Sequence, residues 1–309
     1  MIDIYEMQIF LAAAETGSFS EAGRRLQLSQ PAVSMQIRTL EKRLGIELFS
    51  RAGRHISLTE AGQALIPMAR DLVSRAIRVE EAIASLQGEV IGQLKLACST
   101  TAGKYVLPRL IGKFIEIYPA VQVTCHVCTR EMASNLLLDD EVHLMITSLR
   151  DSSRELEYRQ FITDPVVLIV PPDHYWAKRR AITVDDLYEG RFILREFSSG
   201  TQQTVIQALS EHNVSLSDLV TVMTLGNSEA IHLAVAEGIG AAFVSRRAAA
   251  DGIADGRVIQ VPIEGLEMVQ QLYMARHAQR AATSAQTAFW EFVYSLENRD
   301  ILSNQSIHT

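Results

Sequence analysis

The sequence predicts an α/β protein in three parts: a small N-terminal helical unit over residues 1–59, a long helix over 60–88 and a two-lobed α/β domain over 92–309. Three observations predict it. Apolar residues recur at helical spacing as far as Gly45, and a 3–4 alternation then runs from Leu65 to Leu86. From Gln93 onward, strand-like apolar runs alternate with helical ones, the pattern of parallel sheets covered by helices. A chain of 309 residues also exceeds one ordinary core.

Met7, Phe10, Leu11 and Ala14 mark a first helix, ended by Gly17. Ser20 is placed to cap a second helix carrying Ala22, Arg25 and Leu26. After a tight break at 27–29, Ser29 caps a third helix with Pro31 in its first turn, where a missing N–H is harmless. Val33, Ile37, Leu40 and Leu44 form its buried stripe, while Gln30, Ser34 and Arg38 form a polar one. Residues 46–49 and 55–58 look like short strands, with Arg51, Gly53 and Arg54 at the tip between them.

Helix, short turn, helix and wing make a winged helix-turn-helix, and the DNA major groove admits one such helix. Gln30 can pair bidentately with adenine, and Ser34 can bond several bases. The arginines at 51 and 54 are placed for phosphates or the minor groove. The net charge of -7 argues against a surface coated with nucleic acid. Residues 20–58 nevertheless hold seven Lys and Arg against three Glu, an island of about +4. A helical module with a merely solvated charged face is the plainer alternative.

Thr59 is placed to cap the long helix, with Leu58 as a hydrophobic staple. Leu65, Met68, Leu72, Val79, Ile83 and Leu86 make a narrow seam suited to a partner helix, or to its own domain. Residues 88–92 read as a hinge.

In the last part, strands are expected at 94–98, 121–127, 144–147, 165–170, 192–194, 221–223, 241–244 and 268–274. Helices are expected at 107–118, ending at 138, and at 202–212, 228–237 and 287–296. The late strand after a long excursion implies two lobes, with crossings near 162–163 and 264–266. Lobe I then comprises 92–162 and 267–309, and lobe II 163–266, a type II periplasmic-binding-protein-like fold. Ligands in such sheets bind at the carboxyl ends of strands, against helix N-termini. Those ends carry Ser99, Thr100 and Thr101, then Thr129, Thr147 and Ser148 in one lobe. The other offers Ser198, Ser199, Gly200 and Thr201, and Asn227 with Ser228. Each alone reads as a helix cap; together they point to a cleft binding a small anion.

The run Gly17-Ser18-Phe19, Ala22, Leu26, Leu28-Ser29-Gln30-Pro31-Ala32-Val33-Ser34, Ile37, Leu40-Glu41, Leu44-Gly45, Leu48-Phe49, Arg51 and Leu58-Thr59-Glu60-Ala61-Gly62 resembles LysR-type transcriptional regulators. Many members carry arginine where this chain has Met35. Thr100-Thr101, Tyr105, Leu107-Pro108, Leu194-Arg195-Glu196 and Gly200-Thr201 are similar to the branch controlling carbon fixation and sulfur assimilation. That resemblance implies promoter DNA, RNA polymerase, a small-molecule effector and further copies of the chain as partners. It also implies pairing through the long helix, tetramers built from two dimers, and no cofactor beyond an effector such as a phosphorylated sugar, sulfate or sulfite. Activator and repressor remain open.

Other classes fit less well. Cys125 and Cys128 have redox or metal spacing, yet an odd offset on a strand separates their sulfurs, and zinc needs two further ligands. Core packing is the expectation for Cys125, and redox sensing through Cys98 or Cys128 is the alternative function. The eight histidines show no metal-ligand spacing. No Ser/His/Asp order with its supporting motif is present, so no catalytic residue is expected; Arg195 and Glu196 would be an enzyme's only charged candidates. A transported-solute receptor would require export and would not carry a recognition helix. The N-terminus has no basic stretch followed by an apolar one, and three cysteines are too few for a disulfide framework. Those features point to a cytoplasmic protein without membrane spans.

Overall fold

The first helix, α1 (Ile4–Thr16), starts where Asp3 caps it and Glu6 reaches back to the Asp3 N–H at 3.3 Å. Glu6 is buried and accepts from both Arg43 nitrogens at 2.6 and 2.9 Å, which locks α1 to the end of α3 (Gln30–Leu44). Between them lies α2 (Phe19–Leu26). The structure is a computed structural model that describes residues 2–52, 55–86, 89–150 and 153–302. Its contacts separate two compact units, Met1–Glu89 and Val90–Thr309.

Ser18, rather than the expected Ser20, caps α2, accepting from Glu21 N. The helix starts earlier because Phe19 must already be helical to bury its ring edge-on against Phe49, with centroids 5.5 Å apart. Ser29 caps α3 by accepting from Ala32 N. A Cβ at Gly23 would stand 2.7 Å from the Leu28 carbonyl, so a glycine lets α2 meet the turn this closely. The wing strands are β1 (Phe49–Ala52) and β2 (His55–Leu58), antiparallel with Phe49 opposite Leu58. β1 lies later than the expected 46–49 because Glu41 accepts the N–H groups of Leu48 and Phe49, at 2.9 and 3.2 Å. Thr59 caps α4 (Glu60–Leu86), accepting from Gly62 N at 3.1 Å. On α4, Ala69 is buried, and Leu65, Ile66 and Val73 pack on the N-terminal core. Leu65 therefore serves its own domain rather than the expected seam. Met68, Leu72, Val79, Ile83 and Leu86 are exposed.

The second unit begins with β3 (Gly92–Cys98), α5 (Thr100–Tyr105), α6 (Leu107–Ile117), β4 (Val121–Val127), α7 (Arg130–Leu138) and β5 (Leu144–Thr147). β6 (Leu156–Val170) leads into β7 (Arg191–Arg195), α8 (Gly200–Ser210), β8 (Val220–Leu225), α9 (Ser228–Ala236), β9 (Ala241–Ser245), α10 (Arg246–Ala254) and β10 (Ile259–Val261). β11 (Val269–His277), α11 (Ser284–Phe292) and the short α12 (Arg299–Leu302) follow.

The strand order is β4-β3-β5-β11-β6-β9-β7-β8, with β10 on β6. β3 pairs in parallel with β4 and β5, and β7 with β8 and β9. The expectation of wholly parallel sheets is corrected: β11 is antiparallel to β5 and β6, and β6 to β9. The reason is topological. The chain leaves one lobe on β6 and returns on β11, so these neighbours run in opposite directions. β6 is also 15 residues long instead of the expected 165–170. Its first half carries Glu157, Arg159 and Gln160 on a sheet edge, which hides the apolar pattern. α10 and β10 were not expected at all.

Each lobe has its own core. Leu94, Leu96, Phe114, Ile146, Leu272, Phe289 and Trp290 fill one. Leu168, Trp176, Phe192, Val205, Leu209 and Phe243 fill the other, where the Phe192 and Phe243 rings stack 5.7 Å apart.

Candidate functional site

On the N-terminal unit, Gln30, Pro31, Met35 and Arg38 are exposed on α3, and Ser34 is half-buried. The structure narrows the charge island. Arg24 pairs with Glu21, Arg25 with Glu15, and Arg43 with Glu6. Among the described residues, Arg38 and Lys42 have no carboxylate partner, so α3 presents free positive charge along its outer face. Arg51 lies in β1, while Gly53 and Arg54 lie outside the described residues. The Glu6 to Arg43 and Glu41 anchors were missed. Aspartate followed three residues later by glutamate was the available signal for the cap that positions Glu6.

On the second unit, a cavity of about 260 Å³ lies between the lobes. Ser99, Thr100, Thr101, Thr129, Thr147, Ser198, Ser199, Gly200 and Thr201 all line it. So do Ser148, Cys128, Arg130, Arg195, Glu196 and Gln270. The caps divide sharply. Thr129 caps α7 by accepting from Met132 N at 3.3 Å, and Asn227 caps α9 by accepting from Glu229 N at 2.8 Å. Ser99 and Ser199 occupy the same position on α5 and α8, yet neither hydroxyl caps its helix. The first-turn N–H groups of α8 are thus left for another acceptor. Thr201 donates to Gln270 Oε1 at 3.2 Å, and Thr147 bonds the Leu149 backbone. A Cβ at Gly200 would collide with Ser148 Oγ and Gln270 Nε2, so the lobes meet there on a bare backbone.

The buried Arg195 already uses four of its five N–H donors. Its guanidinium donates to both Glu196 oxygens at 2.9 and 2.7 Å, to Ser228 Oγ at 2.7 Å and to the Gly226 carbonyl. Ser228 therefore holds Arg195 in place. Burial pushes the Glu196 carboxyl up, but hydrogen bonds from Arg195 and its own backbone N–H, with the Arg195 charge, outweigh it and hold Glu196 below the usual range. Arg130 and Gln270 were not foreseen, because one follows an unremarkable strand end and the other sits inside β11.

The cysteines behave as packing groups. Cys98 is wholly buried, with its Sγ 3.5 Å from that of Cys125. That hydrogen bond and burial push the Cys98 thiol up, and burial, with the neighbouring Cys125, pushes Cys128 up. Reactive thiols are accessible and have lowered pKa values, so redox sensing through Cys98 or Cys128 is not favoured. Cys128 lies one residue past β4, and Val127 is exposed beside the cavity. Among the described residues, no group of three or more His, Cys, Asp or Glu could hold a metal ion, and no helix is long and apolar enough to cross a membrane.

A winged helix-turn-helix in one unit and a ligand-sized cleft in the other define a ligand-responsive DNA-binding regulator. Residues 4–63 match the bacterial regulatory helix-turn-helix protein model of the lysR family, and residues 87–296 match the LysR substrate binding domain. The chain belongs to the LysR family of transcriptional regulators, which are not enzymes. It is 32% identical to the RuBisCO operon transcriptional regulator of Allochromatium vinosum, over 95% of this chain and 96% of that one. It is 31% identical to the HTH-type transcriptional activator CmpR of Synechocystis sp., over 94% and 95%. The Synechocystis CcmR regulatory domain in complex with 2-PG superposes with a TM-score of 0.61 at 28% identity, covering 69% of this chain and 98% of that one.

Proposed function

We propose that this LysR-type regulator reads promoter DNA through α3 and answers to a compact anion bound between the lobes of its second unit. In this reading Gln30, Ser34 and Arg38 face the major groove, and Arg51 and Arg54 grip phosphates. The exposed seam of α4 pairs two copies, two pairs make a tetramer, and the assembly meets RNA polymerase in the cytoplasm.

One observation carries the anion. Ser199 leaves the first turn of α8 uncapped inside a cavity ringed by hydroxyls, so its N–H groups and positive helix end face the ligand. Arg195 adds little, because Glu196 neutralises it. A volume of about 260 Å³ lies at the small end of ligand sites and fits a compact molecule better than a bulky one. The ligand-bound CcmR domain supports a small molecule in this fold.

The test is a thermal-shift screen of inorganic sulfate, phosphate and phosphorylated metabolites. A ligand at 100 times its Kd adds about 2.7 kcal/mol. Titration calorimetry with the best anion follows, on wild type and on Thr101→Val. Losing that hydroxyl should weaken binding at least tenfold, from about 1.5–3 kcal/mol for a hydrogen bond to a charged group, while effector-free DNA binding stays intact. Unchanged affinity, or ligands that are all neutral and aromatic, would overturn the anion.

A further inference from the structure

In the first half of α3, the half nearest its N-terminus, the outermost side chains are apolar. Residues on an α-helix advance about 100° each. Val33, Ile37 and Leu40, all buried, fix the direction of the core. The direction opposite them falls between Lys42, in the last turn, and Met35, in the first half of the helix, with Pro31 and Arg38 on one flank. Gln30 and Ser34 lie further round toward the core side. Met35 is accordingly 61% exposed, and within α3 the other exposed large apolar side chain, Leu44, lies at the far end. One turn on, Thr39 donates its hydroxyl to the Met35 carbonyl at 3.0 Å. A helix that enters the major groove pushes the line opposite its core deepest into it. In the N-terminal half, whose residues face the base edges, the group arriving there is a thioether on a flexible stem, with no hydrogen-bond donor.

We infer that Met35 is a specificity-determining residue that selects thymine by packing against its 5-methyl group. The inference rests on α3 being the groove-reading helix. The major groove offers one apolar feature, the thymine methyl, and otherwise presents donors and acceptors that methionine leaves unpaired. Guanine and adenine at that position are therefore disfavoured by desolvation, and thymine is favoured by contact. Methionine's adaptable side chain suits a methyl whose position shifts with local DNA geometry.

The full-length protein is used to select duplexes from a library with a randomised core. In the selected duplex each thymine is then replaced singly by deoxyuridine, which lacks only the methyl group, and affinity is read by fluorescence anisotropy at fixed salt. At one thymine per half-site, demethylation should weaken wild-type binding about fourfold, the factor that burying one methyl gives. Met35→Ala should lose about the same on the thymine duplex and nothing further on deoxyuridine, while Met35→Leu keeps methyl sensitivity. Met35 is exposed, and matching thermal melts show that each variant is folded. A wild type indifferent to every demethylation, or a sensitivity that persists in Met35→Ala, overturns the inference and leaves α3 as the reader. Failure of the wild type to select any common sequence overturns that underlying reading, and this inference with it.

Discussion

Glu196 sets how much positive charge Arg195 shows to the cavity. Two hydrogen bonds tie them together, and the carboxyl is held below its usual range, so it stays ionised at neutral pH. An incoming anion meets a like charge. Glu196→Gln should therefore tighten sulfate or phosphate binding roughly tenfold, equivalent to about 1.4 kcal/mol of relieved repulsion. Calorimetry showing weaker binding would mean that Glu196 itself holds the ligand. Gly200 marks the opposite limit. Alanine there would strike Ser148 across the cleft, so Gly200→Ala should weaken effector binding at least tenfold by propping the lobes apart. An unchanged Kd in the same titration would refute that contact. The hydroxyl residues of the cavity were legible because each ends a strand or opens a helix whose apolar pattern is clear. Gln270 was not. It sits inside a strand, and its place in the cavity depends on β11 returning beside β6.

Elements bring different consequences. The exposed stripe of α4 includes Leu72, Val79 and Ile83, apolar surface that one chain leaves in water. Leu72→Asp should dissociate the pair and abolish binding to a two-fold site, as sedimentation and a mobility shift would show. A wild-type monomer at micromolar concentration would contradict the pairing. In β6, Asp164 is wholly buried opposite Gln270, with Arg247 Nε 3.9 Å from Oδ1. Burial raises its carboxyl to about 6, against the lowering pull of Ser245 and Arg247. An unfolded aspartate titrates near 3.9. Between about pH 4 and 6 the folded chain keeps a proton that the unfolded chain has released. Stability falls as pH rises through that window, by on the order of 2–3 kcal/mol in all. Asp164→Asn should flatten that fall in urea unfolding at pH 4.5 and 7; equal pH slopes in variant and wild type would refute it. The helices were legible from their caps and apolar stripes. The long β6 was not, because half of it is a polar sheet edge.

At the scale of the whole molecule, charge is sharply divided. The net charge is -7 and residues 20–58 hold +4, so the remainder carries -11, from -7 minus 4. DNA attraction must then be local and strongly salt-dependent. Arg51→Ala should weaken binding to all duplexes alike and lower the slope of log K against log salt by about one per protomer. Altered base preference at an unchanged slope would show Arg51 reading bases instead.

The paired β6 and β11 also settle an order of events. Lobe II departs after Asp164 and returns at Val269, on neighbouring strands, so it is an insertion whose two ends adjoin. All its strands beyond that doorway are made before β11 exists. Lobe I comes first in the sequence, yet its sheet lacks a central strand, and its core lacks Phe289 and Trp290, until the chain is nearly finished. During synthesis the strands of the inserted lobe are therefore complete first, and the lobe that began the domain lacks part of its sheet and core until residues more than a hundred positions downstream are added.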